Sequence, residues 1–194
     1  LYGPPGTGKT SLIRAVAGAV GLDLAIVDLS GKTLDDAGLR AAVASAPRRA
    51  ALVLEDVDAA FRGRARDEAS GGITFSGLLN ALDGLAAQEG RIVFMTTNHR
   101  EALDPALIRP GRADLHLELG LIGPAEAAAL FARFFPGEAP RAARLGAALS
   151  GALSPAAAQA ALLSAADDPE AAEAALAAAF AAQAEAAAHR IAAE

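Results

Sequence analysis

Two rhythms divide the chain. Up to about residue 122, short apolar runs alternate with stretches whose apolar positions recur at helical spacing. Lys9 to Val20 is predicted as a helix ending at Gly21, Leu22 to Leu29 as a strand, and Asp35 to Ala46 as a helix stopping before Pro47. Ala50 to Leu54 is continuously apolar, as a strand buried on both faces is, and it ends abruptly in acid at Glu55, Asp56 and Asp58. Thr74 to Leu85 reads as an amphipathic helix and Arg91 to Thr97 as a further strand, with Arg62 to Gly72 as a polar loop between. Leu115 to Leu119 alternates apolar and polar, the pattern of a half-exposed edge strand.

Strands separated by helices require parallel crossovers, hence an α/β sheet with helices on both faces. After Gly123 only helices are predicted. Three starts are legible, at Pro124, at Ser154-Pro155 and at Asp167-Asp168-Pro169-Glu170. Each places proline in the first helical turn, where its missing N–H costs nothing. The expected division is an α/β part over 1–122 and a helical part over 123–194. The last helix has an alanine-rich face that either packs on the helical part or forms a partly ordered tail.

Composition refines this picture. With 53% apolar and 21% charged residues, a packed core is expected. Only 4% is aromatic and alanine dominates the last third, so the helical part should be the less stable one. A net charge of −6 argues against a nucleic-acid backbone as the main partner. The chain contains no cysteine, which excludes disulfides, thiol catalysis and thiolate zinc sites. No run of 18 or more strongly apolar residues suggests a membrane span.

The strongest chemical signal is Gly3-Pro4-Pro5-Gly6-Thr7-Gly8-Lys9-Thr10, a full G-x-x-x-x-G-K-[ST] match. Its glycines let successive N–H groups curl around a phosphate, and the following helix presents its positive end to the same anion. Lys9 reaches the β- and γ-phosphates, and the Thr10 hydroxyl ligates Mg²⁺. Gly3, Pro4, Pro5, Gly6, Thr7, Gly8, Lys9, Thr10 and Ser11 are the expected ATP-binding residues. The motif normally follows a complete strand. The sequence opens almost on it, so most of the first strand is expected to be missing.

Glu55 and Asp56 follow a buried strand, and ligands of open α/β sheets sit at the carboxyl ends of strands. Phosphoryl transfer needs one acid on the metal and another on the attacking water. Asn98 closes the Ile92 to Thr97 run in the same relative place, where an amide can bind the water or the γ-phosphate. Arg109 and Arg112 flank a proline–glycine turn. They are either arginine fingers or a surface pair binding a helix end. His99, His116 and His189 have no metal-ligand spacing and read as surface or edge residues, and Arg62, Arg64 and Arg66 as a solvated loop.

Together these motifs resemble the AAA family of ring-forming P-loop ATPases. Leu103-Asp104-Pro105-Ala106-Leu107-Ile108-Arg109-Pro110-Gly111-Arg112 is similar to that family's second region of homology. The resemblance implies that Arg109 and Arg112 are fingers acting on a neighbouring subunit, Asn98 the first sensor, and the part from 123 a helical lid.

A narrower resemblance rests on Glu55-Asp56, where most AAA proteins have Asp then Glu. It also rests on Val57-Asp58-Ala59-Ala60-Phe61, on Thr74 to Gly84 and on Phe94-Met95-Thr96-Thr97-Asn98-His99. These are similar to the AAA chaperones of the mitochondrial inner membrane that translocate the Rieske iron–sulfur protein into respiratory complex III. That group implies Glu55 on the metal, Asp56 activating water, a homo-oligomeric ring and a folded iron–sulfur protein as client. It also implies a mitochondrial inner-membrane location through a preceding segment, or a cytoplasmic one outside eukaryotes. Protein-threading rings of the family usually carry an aromatic in the loop after the second strand. Ser30-Gly31-Lys32-Thr33-Leu34 has none, which fits a folded client, unless Leu34 or another loop provides the grip. The competing expectations are a generic AAA unfoldase and a nucleotide-gated assembly module with little turnover.

Overall fold

The computed structural model describes residues 1–29, 31, 34–61, 72–86 and 90–191. Within it the chain separates into two compact units. One comprises 1–3 with 9–119, the other 4–8 with 120–194.

The first unit contains α1 (Lys9–Val20), β1 (Asp23–Asp28), α2 (Asp36–Ser45), β2 (Ala50–Glu55), α3 (Val57–Phe61), α4 (Phe75–Ala86) and β3 (Ile92–Met95). The strands form a parallel sheet in the order β1-β2-β3. Tyr2 extends it by one residue, bridging Thr97 on one side and Glu118 on the other. From Tyr2 the chain passes to the far edge, β1, and then returns strand by strand through β2 to β3. Right-handed crossovers therefore put α1 on one face and α2 and α4 on the other. Ile13 and Ala17 of α1 are buried, as are Ala51 and Val53 of β2. On the opposite face Leu52 and Leu54 pack with Leu39, Val43, Leu78, Ala81, Leu82 and Leu85. β2 is buried along its whole apolar run, whereas Leu24 and Ile26 on the edge strand β1 stay 36% and 40% exposed.

Local chemistry sets the ends. Gly21 closes α1 at φ 66, the left-handed conformation that favours glycine. Asp35 caps α2, its carboxylate accepting the Gly38 N–H at 2.7 Å. The expected strand over Leu115 to Leu119 is absent and only the single bridge at Glu118 forms. Tyr2 supplies two ladder bonds, N–H to Leu117 O at 3.0 Å and O from Leu119 N–H at 2.8 Å. Pro4 and Pro5 have no N–H with which to continue the ladder. The expected loops at Ser30 to Leu34 and at Arg62 to Gly72, with Arg62, Arg64 and Arg66, lie largely outside the described residues.

The second unit is built from α5 (Pro124–Phe134), α6 (Ala139–Ala148), α7 (Pro155–Leu163) and α8 (Pro169–Ile191). The three starts at proline are present. α6 is an additional helix beyond those three and begins with Pro140 in its first turn, a signal of the same kind. Its core gathers Ala127, Phe131, Phe135, Ala142, Leu145, Leu153, Ala158, Leu162, Ala172, Leu176 and Phe180. Ala172, Leu176 and Phe180 recur every fourth residue, so α8 packs on this core. An antiparallel bridge between Ile122 and Leu153 joins the approaches to α5 and α7.

Candidate functional site

Lys9 is the first residue of α1 and its side chain is buried, with 8% of the residue exposed. Its ammonium donates to Gly3 O at 2.8 Å and to Asn98 Oδ1 at 2.7 Å. Burial lowers its pKa, and Asp56 and Asp58 act in the opposite direction. One residue on, the Thr10 hydroxyl donates to Glu55 Oε1 at 2.6 Å. A hydroxyl and a carboxylate so placed are the hard oxygen donors that Mg²⁺ prefers. The donor set therefore fits the metal.

Asp56 follows β2 at φ 51, the only non-glycine residue at positive φ among those described. Such outliers persist where the surroundings over-determine them, and they cluster at functional sites. The Thr96 hydroxyl accepts the Asp56 N–H at 3.1 Å, and Thr96 O accepts the Val57 N–H at 2.9 Å. Burial raises the Asp56 pKa, with Asp58 and Glu55 adding like-charge repulsion. A carboxylate pushed toward neutrality is a better proton acceptor at working pH.

Asn98 links the cluster. Its carbonyl faces the Lys9 ammonium, and its Nδ2 donates to Asp56 Oδ1 at 3.3 Å, so the two charges fix the amide's orientation. Asp58 supports this cluster too, although its sequence context does not predict it. Asp58 is 5% exposed, and its Oδ1 accepts the Thr97 hydroxyl at 2.7 Å and the Asn98 N–H at 3.1 Å. It thereby fixes the turn that presents Asn98. The acid-rich Glu55-Asp56-Val57-Asp58 run was the available signal, but nothing in it ranked Asp58 above a solvated acid.

The loop Pro4–Gly8 clusters with the second unit. Gly3, Gly6 and Gly8 have φ of 135, 75 and 92, conformations costly for any other residue. Gly3 is also constrained sterically, since a Cβ there would lie 2.1 Å from Leu119 O. Thr7 closes the loop on itself through its hydroxyl and Pro4 O at 2.9 Å. Gly6 O accepts the Ala156 N–H at 3.0 Å, and a Cβ on Gly6 would lie 3.2 Å from that of Ala156.

The two arginines are not placed alike. Arg109 is exposed, and its guanidinium makes no hydrogen bond or ion pair with a described residue. Arg112 turns inward onto α4, pairing with Asp83. That pairing, through hydrogen bonds to both carboxylate oxygens, holds the Asp83 carboxyl below its ordinary range. A cavity of about 770 Å³ in the same unit is lined mainly by apolar residues such as Leu12, Val16, Val93 and Met95. Neither Lys9, Glu55 nor Asp56 borders it, so it is not where the phosphate chemistry belongs.

The G-x-x-x-x-G-K-[ST] sequence, with its lysine, a threonine–carboxylate pair and a polar strand-end residue gathered at the carboxyl side of a parallel sheet, defines a P-loop nucleotide-binding fold. The chain belongs to the ATPase family associated with various cellular activities (AAA), whose model matches residues 1–121. It is 49% identical to a probable mitochondrial chaperone bcs1 of Schizosaccharomyces pombe, over 72% of this chain and 32% of that protein. It is 48% identical to the mitochondrial chaperone BCS1 of Homo sapiens, over 72% of this chain and 35% of that one. An AAA-ATPase of Arabidopsis thaliana is 43% identical over 62% of this chain and 26% of its own length. The chain spans about a third of the length of the curated relatives it matches.

Proposed function

We propose that this chain is the ATP-hydrolysing part of a ring-forming chaperone that remodels or translocates a protein client. The observation that carries the reading is the cluster in which Lys9 meets Asn98 and Thr10 meets Glu55. With ATP as the phosphoryl donor, Mg²⁺ bound there would neutralise charge developing on the transferred group. Gly3 to Gly8 with Ser11 hold the phosphates, Lys9 stabilises the terminal ones, and Thr10 and Glu55 hold the metal. Asp56 accepts the proton of the attacking water at its carboxylate, and Asn98 orients that water. Arginine from the 109–112 turn reaches a neighbouring subunit's site, which makes turnover depend on assembly.

The relatives' description as mitochondrial chaperones supports a chaperone role. With the resemblance to the Rieske-protein translocases, it supports a folded iron–sulfur client and the mitochondrial inner membrane in a eukaryote. Among the described residues no helix is long and apolar enough to cross a membrane, so attachment would come from elsewhere in a longer protein. A net charge of −6 supports a protein client over nucleic acid.

Phosphate release by the intact protein, measured against its concentration, tests the reading. The rate per subunit should rise with concentration. A mixture of Lys9→Ala with the Arg109→Ala/Arg112→Ala double variant should regain part of what each lacks. Binding of ATP without hydrolysis at any concentration would sink the proposal in favour of a nucleotide-gated assembly module, which the Glu55-Asp56 order also suits.

A further inference from the structure

Arg112 is spent inside its own subunit. Its Nε and Nη2 donate to Asp83 Oδ1 and Oδ2, each at 2.8 Å, and its Nη1 donates to Ala106 O at 2.9 Å. All three guanidinium nitrogens are thus engaged, in the two-pronged geometry that makes an arginine–carboxylate pair directional. The side chain is 8% exposed although its partner Asp83 is 55% exposed. Reaching another molecule would require breaking the pair and the carbonyl bond together.

The turn on which Arg112 sits is anchored at several points. Leu107 is 1% exposed in the first core, with Leu103 and Ile108 packed beside it. Asp104 accepts the Ala106 N–H at 2.8 Å, and Asp114 accepts that of Gly111 at 2.8 Å. The N–H groups of Arg112 and Ala113 both converge on Arg109 O, each at 3.2 Å. The backbone of Arg109 is therefore held by the residue that α4 holds, while its side chain remains in solvent.

We infer that Arg112 is a positioning residue, bracing the turn on Asp83 of its own subunit so that Arg109 alone is presented to a neighbouring subunit's phosphate. Two arginines of one motif then do different work, and Asp83 joins the machinery of hydrolysis without touching nucleotide. This rests on the reading of the chain as an ATPase with shared sites.

The test is steady-state phosphate release by the intact protein, with KM for ATP and kcat taken separately. Arg109→Ala should lower kcat by roughly 10³-fold or more at little change in KM. Asp83→Ala should lower kcat as Arg112→Ala does, and the double variant should be no slower than either single one, as for residues acting as one unit. Exchanging the charges, Arg112→Asp with Asp83→Arg, should recover about tenfold or more over Arg112→Ala. A finger acting outside the subunit predicts the reverse. Asp83→Ala would then keep the unsubstituted rate while Arg112→Ala abolished it, and the exchanged pair would stay inactive although folded and able to bind ATP. That result would overturn the inference.

Should the exchanged protein not fold, Asp83→Asn decides the matter by the same comparison. Absence of phosphate release from the unsubstituted protein is a different failure, one of the ATPase reading. The brace is then read from thermal unfolding, where Asp83→Ala and Arg112→Ala must both lower Tm and the double variant must fall no further than Arg112→Ala, which also loses the Ala106 bond. Additive shifts would overturn it.

Discussion

The two units bury different things. The core of the α/β unit is aliphatic and holds polar side chains as well, with Lys9, Asp58, Thr96 and Thr97 all under 9% exposed. The core of the helical unit is wholly apolar, alanines packed around Phe131, Phe135 and Phe180. A buried polar group costs stability unless it is hydrogen-bonded, so each one needs a local explanation. In the first unit the explanations converge on one cluster around Asn98. In the second the core serves packing alone. The contrast shows where chemistry is concentrated: among the described residues four of the five buried polar side chains belong to the first unit, and the fifth, Thr7 at 6% exposed, lies in the Pro4–Gly8 loop, so the helical core itself holds none.

The sharpest break of that contrast is Phe131→Ala. Phe131 is fully buried, with its ring centroid 4.9 Å from that of Phe135. The change should cost about 3–5 kcal/mol in denaturant unfolding. Asp58→Ala comes next. It strips the Thr97 hydroxyl and the Asn98 N–H of their acceptor, and each unpaired buried group costs about 1–3 kcal/mol. Unlike the phenylalanine change, it should also slow phosphate release, because Asn98 loses its support.

Asp56→Asn should act in the opposite sense on stability. The folded pKa of Asp56 lies above its ordinary 3.8, so the ionised form is disfavoured on folding. That penalty is complete above the folded pKa and fades as pH falls from there toward 3.8. Asparagine removes it and tolerates positive φ. The variant should therefore unfold at a higher temperature at pH 7, by a small margin because solvent screens a partly exposed group, with the advantage shrinking in acid and hydrolysis lost. An equal or lower Tm at neutral pH would break this account.

Much of this was legible from residues alone. The phosphate loop announces itself because its chemistry is local: glycines at positive φ, a lysine and a threonine all within eight positions. The helix over Lys9 to Val20 and the buried strand from Ala50 follow from periodicity and capping. What escaped depends on contacts distant in sequence. Arg112 meets a carboxylate 29 residues earlier in the chain, and Asp58 meets Thr97 across 39 residues. No short-range rule reports either. The edge strand failed for a related reason, since alternation marks a willing strand but not whether a neighbour is there to pair with it. Composition also could not show placement: three of the chain's seven phenylalanines sit in the helical core, whose aromatic area a chain-wide 4% does not reveal.

Asp36, at the start of α2, grips the start of α4: its Oδ1 accepts the Thr74 N–H and its Oδ2 the Thr74 hydroxyl, both at 2.7 Å. A Cβ on Gly77 would lie 2.0 Å from that carboxylate, whereas one on Gly84, two turns further along α4, would meet nothing within 4 Å. For anyone engineering a sturdier variant, the same substitution in the same helix has opposite outcomes. Gly84→Ala should gain about 1 kcal/mol of helix propensity. Gly77→Ala should push Asp36 off its partners and lower the melting temperature.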